Sequence, residues 1–365
     1  MSNGCHAQTL RDLGEQRIIK DLIVPRFPRV AEHIVGIGDD CAVIPSPPSN
    51  QVLVMTTDPC PTPVICLLEP PDLFHYGWMT VLINISDLAA MGAYPMGMMV
   101  STVMPEGMGV GEYERFLDGV ASASNEWACP IIGGNIKDGS TFTSTGSALG
   151  SINPEYIMRR TGAKAGDRVC IIGEMGLFWA AALTRLVQGM YICDLYKNDL
   201  ERALYNPVAR IREGIALAES KLATACMDSS DGVIACLREI ASVNQVDVIV
   251  ESSSMIPHPA VRQVAASANL DPKKLMLSWG NWELIVTIRP NAVDEVRSIM
   301  ESLGTHFQDI GKIREGTGKV WIEEEGRYNL LTNFASERFC STSFFTHGLD
   351  KYLEFLKSEP LQVSL

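Results

Sequence analysis

Asn84-Ile85-Ser86-Asp87-Leu88-Ala89-Ala90-Met91-Gly92-Ala93 closes an apolar stretch that begins near Leu73, and how it folds decides the architecture. Asp72 can cap the start of that stretch and Gly92 can end it, so the spacing predicts a helix over 73–91. The stretch also holds His75, Asn84, Ser86 and Asp87, which makes it a buried helix rather than a membrane span. Asn84 and Asp87 are three residues apart and share one face. A carboxylate inside an apolar helix is costly unless answered. Asp87 is therefore either satisfied in a buried polar network or held by a cation.

Working outward, a strand over 52–57 runs into Asp58 before this helix, and a strand over 94–104 follows it. Further segments are an opening helix over 10–23, a helix over 112–127, a short strand at 130–132 ending in Gly133-Gly134, and an alternating, half-buried strand over 141–152. The second half brings a strand over 169–172, helices around 177–188 and 207–220, and strands at 245–251, 283–288 and 319–323. The expected fold class is α/β (α+β), with two domains, 1–157 and 158–365. At about 150 residues per domain, 365 residues agree with that count.

Composition excludes several classes of function. Thirty Lys+Arg against 43 Asp+Glu leave a net charge of −13, the wrong field for a nucleic-acid binder. With 46% apolar and 20% charged residues the chain is an ordinary folding sequence. Its ten cysteines contain no Cys-x-x-Cys pair and read as small buried hydrophobes in a reducing compartment. The first residues lack a basic segment leading into an apolar core, so the expected location is cytoplasmic, without a membrane partner.

Four acidic motifs recur: Gly36-Ile37-Gly38-Asp39-Asp40, Thr56-Thr57-Asp58, Asn84-Ile85-Ser86-Asp87 and Asp228-Ser229-Ser230-Asp231-Gly232. Lysine and arginine are nearly absent beside them, which leaves a hard cation as counter-charge. Magnesium takes oxygen ligands and shares them with nucleotide phosphates. Asp39-Asp40 alone is also compatible with a turn, Asp58 with a cap, and Asp228 and Asp231 with the N-cap of a helix over 232–241. Gly133-Gly134-Asn135 and Gly173-Glu174-Met175-Gly176 offer backbone amides to phosphate, although neither matches a Walker or dinucleotide fingerprint.

Taken together and in this order, Gly-Ile-Gly-Asp-Asp-Cys-Ala-Val at 36–43, Thr-Thr-Asp at 56–58, the ten residues at 84–93, Ile-Gly-Gly at 132–134, Arg-Thr-Gly-Ala-Lys-Ala-Gly-Asp at 160–167 and Asp-Ser-Ser-Asp-Gly at 228–232 resemble thiamine-monophosphate kinase. More broadly the chain resembles the superfamily of aminoimidazole ribonucleotide synthetase. The resemblance implies an N-terminal domain whose sheet pairs in a homodimer, a C-terminal α/β domain, and ATP with several magnesium ions between them. Carried over, Asp39, Thr56, Thr57, Asp58, Asp87, Asp228 and Asp231 fall on magnesium-ligand positions. Gly134, Asn135, Arg160 and Ser230 fall on nucleotide positions. Asp58, Asp87, Arg160 and Asp231 are the implied catalytic set.

The departures lie on the acceptor side. Ile65 stands where the family has a substrate histidine, and Trp279-Gly280-Asn281-Trp282-Glu283-Leu284 is one residue short of Gly-Gly-Glu-Asp-Tyr-Glu-Leu and lacks the substrate glutamate. Leu349 takes the place of a stacking aromatic. Trp279 and Trp282 are candidates for an aromatic wall there, or for core packing. On the nucleotide side, Asn135 replaces an aspartate. The expectation is an ATP- and magnesium-dependent phosphotransferase with a small-molecule acceptor other than thiamine phosphate. The alternatives are thiamine-monophosphate kinase itself, a cyclase, ligase or dehydratase that phosphorylates an amide or carbonyl oxygen, and a nucleotide-binding regulator without turnover.

Overall fold

The structure is a computed structural model that describes residues 8–27, 37, 41, 43–187, 190, 192–332 and 348–363. The chain divides into two compact units, one of Met1–Leu88 with Ala93–Pro154, the other of Ala89–Gly92 with Glu155–Leu365.

In the first unit, β1 (Val52–Pro59), β2 (Tyr94–Met104), β3 (Ile131–Asp138) and β4 (Thr143–Ile152) form a sheet in the order β1-β4-β2-β3. Helices α1 (Leu73–Met91) and α2 (Val110–Glu126) belong to the same unit apart from the last turn of α1. Strand β4 shows the expected alternation: Ser144, Gly146 and Ala148 are buried while Thr145, Ser147 and Leu149 are half-exposed. The buried face carries α1, whose Leu82, Ile85 and Leu88 are completely buried, each worth about 2 kcal/mol of apolar transfer. Thr80 Oγ1 and Ser144 Oγ meet at 2.6 Å beneath it. The helix comes this close because β4 has small residues there: a Cβ on Gly146 would overlap Asn84 Nδ2 and the Met98 methyl.

Two sequence expectations change in this unit. The opening helix is broken at Gly14 (φ 74°) into Leu10–Leu13 and Glu15–Arg17, followed by a π-helical turn over Ile18–Ile23. Gly133-Gly134 does not end a strand but lies within β3, which pairs in parallel with β2 through Gly133–Met99 and Gly134–Val100. A Cβ at Gly134 would strike the Val100 carbonyl, so close strand packing accounts for the residue.

The second unit holds an eight-stranded mixed sheet in the order β12-β11-β10-β7-β9-β5-β8-β6. Its strands are β5 (Arg168–Ile172), β6 (Ala223–Asp228), β7 (Val246–Glu251), β8 (Leu284–Ile288), β9 (Phe307–Glu315), β10 (Val320–Glu324), β11 (Arg327–Leu331) and β12 (Gln362–Val363). Around it lie α3 (Leu177–Leu186), α4 (Asp194–Tyr205), α5 (Ile211–Ser220), α6 (Val233–Asn244), α7 (Pro259–Ser267), α8 (Pro272–Leu277), α9 (Val293–Ser302) and α10 (Leu349–Ser358). Strands β6, β9, β11 and β12 and helices α4, α7, α8, α9 and α10 had no counterpart among the elements expected from the sequence. Strand β8 runs antiparallel to both β5 and β6, and β9 antiparallel to β5. That topology brings the ends of β5 and β6 and the starts of β8 and β9 to one edge.

Among the described residues no helix is long and apolar enough to cross a membrane. Helix α1 is held against α2 by a pair of glycines, since a Cβ on Gly77 would hit the Phe116 carbonyl and one on Gly119 the Phe74 carbonyl. We expect Gly77→Ala to destabilise the protein by about 3 kcal/mol, read as a lower urea midpoint. An unchanged midpoint would contradict this helix contact.

Candidate nucleotide and metal site

In the first unit the structure joins two of the acidic motifs. Thr56 Oγ1 donates to Asp87 Oδ2 at 2.5 Å, tying β1 to α1. Because side chains alternate along a strand, Asp58 lies on the same face of β1 as Thr56, and both are half-buried. Thr57 faces the other way, where its hydroxyl donates to the Gly146 carbonyl and lies 2.9 Å from Ser147 Oγ. Asn84, one turn before Asp87, is fully buried; its Nδ2 donates to the Thr80 carbonyl, and its Oδ1 has no partner. Asp39 lies outside the described residues. Gly134 and Asn135 line a cavity of about 810 Å³ in this unit, together with Met99, Tyr113 and Phe116.

In the second unit, Asp228 ends β6 opposite Leu284 of β8. The two following loops are laced together. Ser229 N donates to the Glu283 carbonyl at 2.8 Å, Glu283 N to Ser229 Oγ at 3.1 Å, and Gly280 N to the Ser230 carbonyl at 3.2 Å. Asp228 is buried and Asp231 exposed. The N-cap of α6 is Gly232 (φ 98°), with no side-chain cap, so these acids do not cap that helix. They gather instead around Cys236, whose Sγ donates to the Asp228 carbonyl at 3.0 Å. Burial pushes the Cys236 thiol well above its usual range; the charges of Asp228 and Asp231 push the same way, and Arg160 opposes them. Arg160 is exposed, with Glu239 at 3.8 Å. Burial likewise pushes the Cys60 and Cys129 thiols up to about 12, as inert core residues require.

The positions assigned to the acceptor are occupied differently. Ile65 starts a short helix, Ile65–Leu68, and is buried. Trp279 is buried against Phe178, Trp179 and Tyr352, with ring centroids 5.1–6.2 Å apart. Core packing accounts for it. Trp282 is also buried but lines a cavity. Leu349 is half-buried at the first position of α10.

Sequence reasoning missed Arg210. It lies just before α5 and forms a two-point pair with the buried Glu283 carboxylate, one contact being Nη2 to Oε1 at 2.9 Å. Glu213 Oε1 is a further 3.7 Å away from its Nη1. Burial pushes the Glu283 carboxyl up and Arg210 pulls it back. The available signal was an acid standing directly before the apolar run Leu284–Ile288 with no cation nearby in sequence.

Among the described residues no three His, Cys, Asp or Glu side chains are grouped to hold a metal. The acids are instead divided between the two units. For the Glu283–Arg210 pair, Glu283→Gln should cost about 3 kcal/mol in denaturant unfolding, because it takes the charged partner from a largely enclosed guanidinium. Combining it with Arg210→Met should recover part of that loss. Equal losses in the single and double variants would refute a coupled pair.

The N-terminal domain model of AIR synthase related proteins matches residues 38–152, and the C-terminal domain model matches residues 164–323. A thiamine-monophosphate kinase of Synechococcus elongatus is 28% identical over 84% of this chain and 91% of that protein. One of Pyrococcus abyssi is 31% identical over 79% and 86%. The crystal structure of thiamine-monophosphate kinase from Stenotrophomonas maltophilia K279a superposes with a TM-score of 0.71 at 28% identity, covering 82% of this chain and 93% of that one. The chain belongs to the thiamine-monophosphate kinase family of AIR synthase-related proteins.

Proposed function

We propose that this chain is an ATP-dependent kinase that transfers the γ-phosphoryl group of ATP to thiamine monophosphate, yielding thiamine diphosphate and ADP. The observation that carries the reading is the Thr56–Asp87 contact, which unites two of the family motifs at one place in the fold. The relatives named above, similar over about four fifths of the chain, favour thiamine monophosphate over the different acceptor that the sequence departures suggested.

The donors suit magnesium. Asp58, Asp87 and Thr56 in the first unit, Asp228 and Asp231 in the second, and Asp39 would hold it, and all offer carboxylate or hydroxyl oxygen; the Thr57 hydroxyl, on the other face of β1, is turned to Gly146 instead. Asn84 Oδ1, a buried acceptor without a partner one turn from Asp87, suits the same role. When bound, magnesium neutralises phosphate charge. The protein's own part is placement. The Thr56 hydroxyl fixes the Asp87 carboxylate against β1. Gly134 and Ser230 would contact the nucleotide, and Asn135 would supply a neutral oxygen where the family pattern has an aspartate. Arg160, exposed and only loosely paired, is available to the charge that develops on the transferring group. The exposed Leu53 and Met55 on edge strand β1 support a homodimer.

One observation favours the second reading, a different acceptor: Ile65 and Trp279 are packed in the core and Glu283 is engaged by Arg210. None of the three offers a free charge to thiamine phosphate.

Phosphorus NMR with ATP, magnesium and thiamine monophosphate should show thiamine diphosphate and ADP. ADP with free phosphate would mean the cyclase or dehydratase class, and no turnover with this acceptor would favour the second reading. Asp87→Asn and Asp58→Asn should each weaken magnesium-dependent ATP binding by about 100-fold or more, since loss of even an outer partner of a metal site costs about 10–100-fold. Circular dichroism should stay unchanged. Unaltered ATP affinity in both variants would refute the assigned metal ligands.

A further inference from the structure

The side chain of Arg160 is only weakly restrained. Its guanidinium lies 3.8 Å from Glu239, and the two side chains are 61% and 41% exposed. A long ion pair in contact with water holds its partners poorly. Whatever aims Arg160 therefore acts on its backbone, and that backbone is fastened on both sides. The Arg159 carbonyl accepts from Cys226 N of β6 at 2.8 Å. Gly162, at φ 128°, packs onto the same strand, where a Cβ would strike the Thr224 carbonyl.

The remaining fastening comes from Asn244, the half-buried last residue of α6, 84 positions further along the chain. Its Oδ1 accepts from Gly162 N at 2.7 Å, and its Nδ2 donates to the Arg160 carbonyl at 2.9 Å and to the Ile240 carbonyl at 2.8 Å. These partners fix which way the amide points, because an N–H must meet the oxygen and two carbonyls must meet the nitrogen. The oxygen and both amide hydrogens are engaged. Aspartate would supply the acceptor and neither donor, so the site calls for an amide. Strand β6 ends at Asp228, and α6 starts directly after Asp231-Gly232. The two elements that hold the Arg160 loop are thus the two that flank these acids.

We propose that Asn244 is a positioning residue for the nucleotide: by bracketing the Arg160 carbonyl and the Gly162 N–H, it sets where the Arg160 side chain stands relative to Asp228 and Asp231. The inference rests on the nucleotide role of Arg160 and not on the identity of the acceptor. Asn244 lies outside every motif that carries the family resemblance, and it touches the site only through the loop it holds.

The test is a double-mutant cycle on ATP affinity, measured by calorimetry on the full-length protein with magnesium and no acceptor. Arg160→Ala should weaken binding about tenfold or more, as loss of a charged hydrogen-bond donor does. Asn244→Ala should weaken it about fivefold, through misplacement of Arg160. The two changes together should bind no more weakly than Arg160→Ala, since a residue that works through Arg160 then has nothing left to place. Asn244→Asp, which turns a carboxylate toward the Arg160 carbonyl, should lose as much as Asn244→Ala and replaces it in the cycle if that variant does not fold. Undiminished affinity in Asn244→Ala would overturn the proposal. So would an equal loss with and without Arg160, which marks a merely structural residue. Undiminished affinity in Arg160→Ala, or no ATP binding by the unmodified protein, would refute the underlying nucleotide reading and the proposal with it, and each is read without any Asn244 variant.

Discussion

A carboxylate withdrawn from water must be answered by a donor or a cation, and this protein meets that requirement in two ways. Glu283 is answered from within by Arg210, which stands just before α5 and so ties the start of α5 to the start of β8. Asp87 is met by a hydroxyl, that of Thr56 on the neighbouring strand. The first arrangement cancels the charge and makes Glu283 part of the framework. The second orients a carboxylate through a neutral hydroxyl donor and ties β1 to α1.

Backbone topology then decides what is assembled around each acid. In the second unit, antiparallel pairing of β8 with both β5 and β6, and of β9 with β5, brings four loops to one edge, and the hydrogen bonds between residues 229–230 and 280–283 hold two of them in register. Asp228, Glu283, His306 and Glu174 meet there although they are far apart along the chain. In the first unit the equivalent device is close approach. Gly77 and Gly119 bring α1 onto α2, and Gly146 lets Asn84 lie against β4.

Much of the first unit was legible in the sequence. The helix over 73–91, its stop at Gly92 and the alternating strand β4 follow from apolar periodicity and from one acid and one glycine at its ends. The second unit was less so. Strands β6 and β9 carry buried residues on both faces, or mixed patterns, and their short apolar runs are not periodic enough to separate strand from helix. Gly133-Gly134 misled for a related reason: glycine marks a turn or a close strand contact equally well, and only the partner strand distinguishes them. At the candidate site, the acids were identified by type and context. Arg210 was not, because its partner lies 73 residues away.

What the sequence determined by itself was the inventory: which acids stand in apolar surroundings, which motifs recur in order, and which acceptor-side residues differ. Those features are local, and the cost of placing a carboxylate beside an apolar run is incurred whatever the fold. Only the tertiary structure decided how each group is answered. It made Trp279 a core residue and Trp282 a cavity wall within the same loop, and it paired Asp87 with a hydroxyl and Glu283 with a guanidinium. The reason is geometric: a hydrogen bond exists only within about 3 Å and an ion pair within about 4 Å, and strand register and helix packing alone set which distant residues come that close.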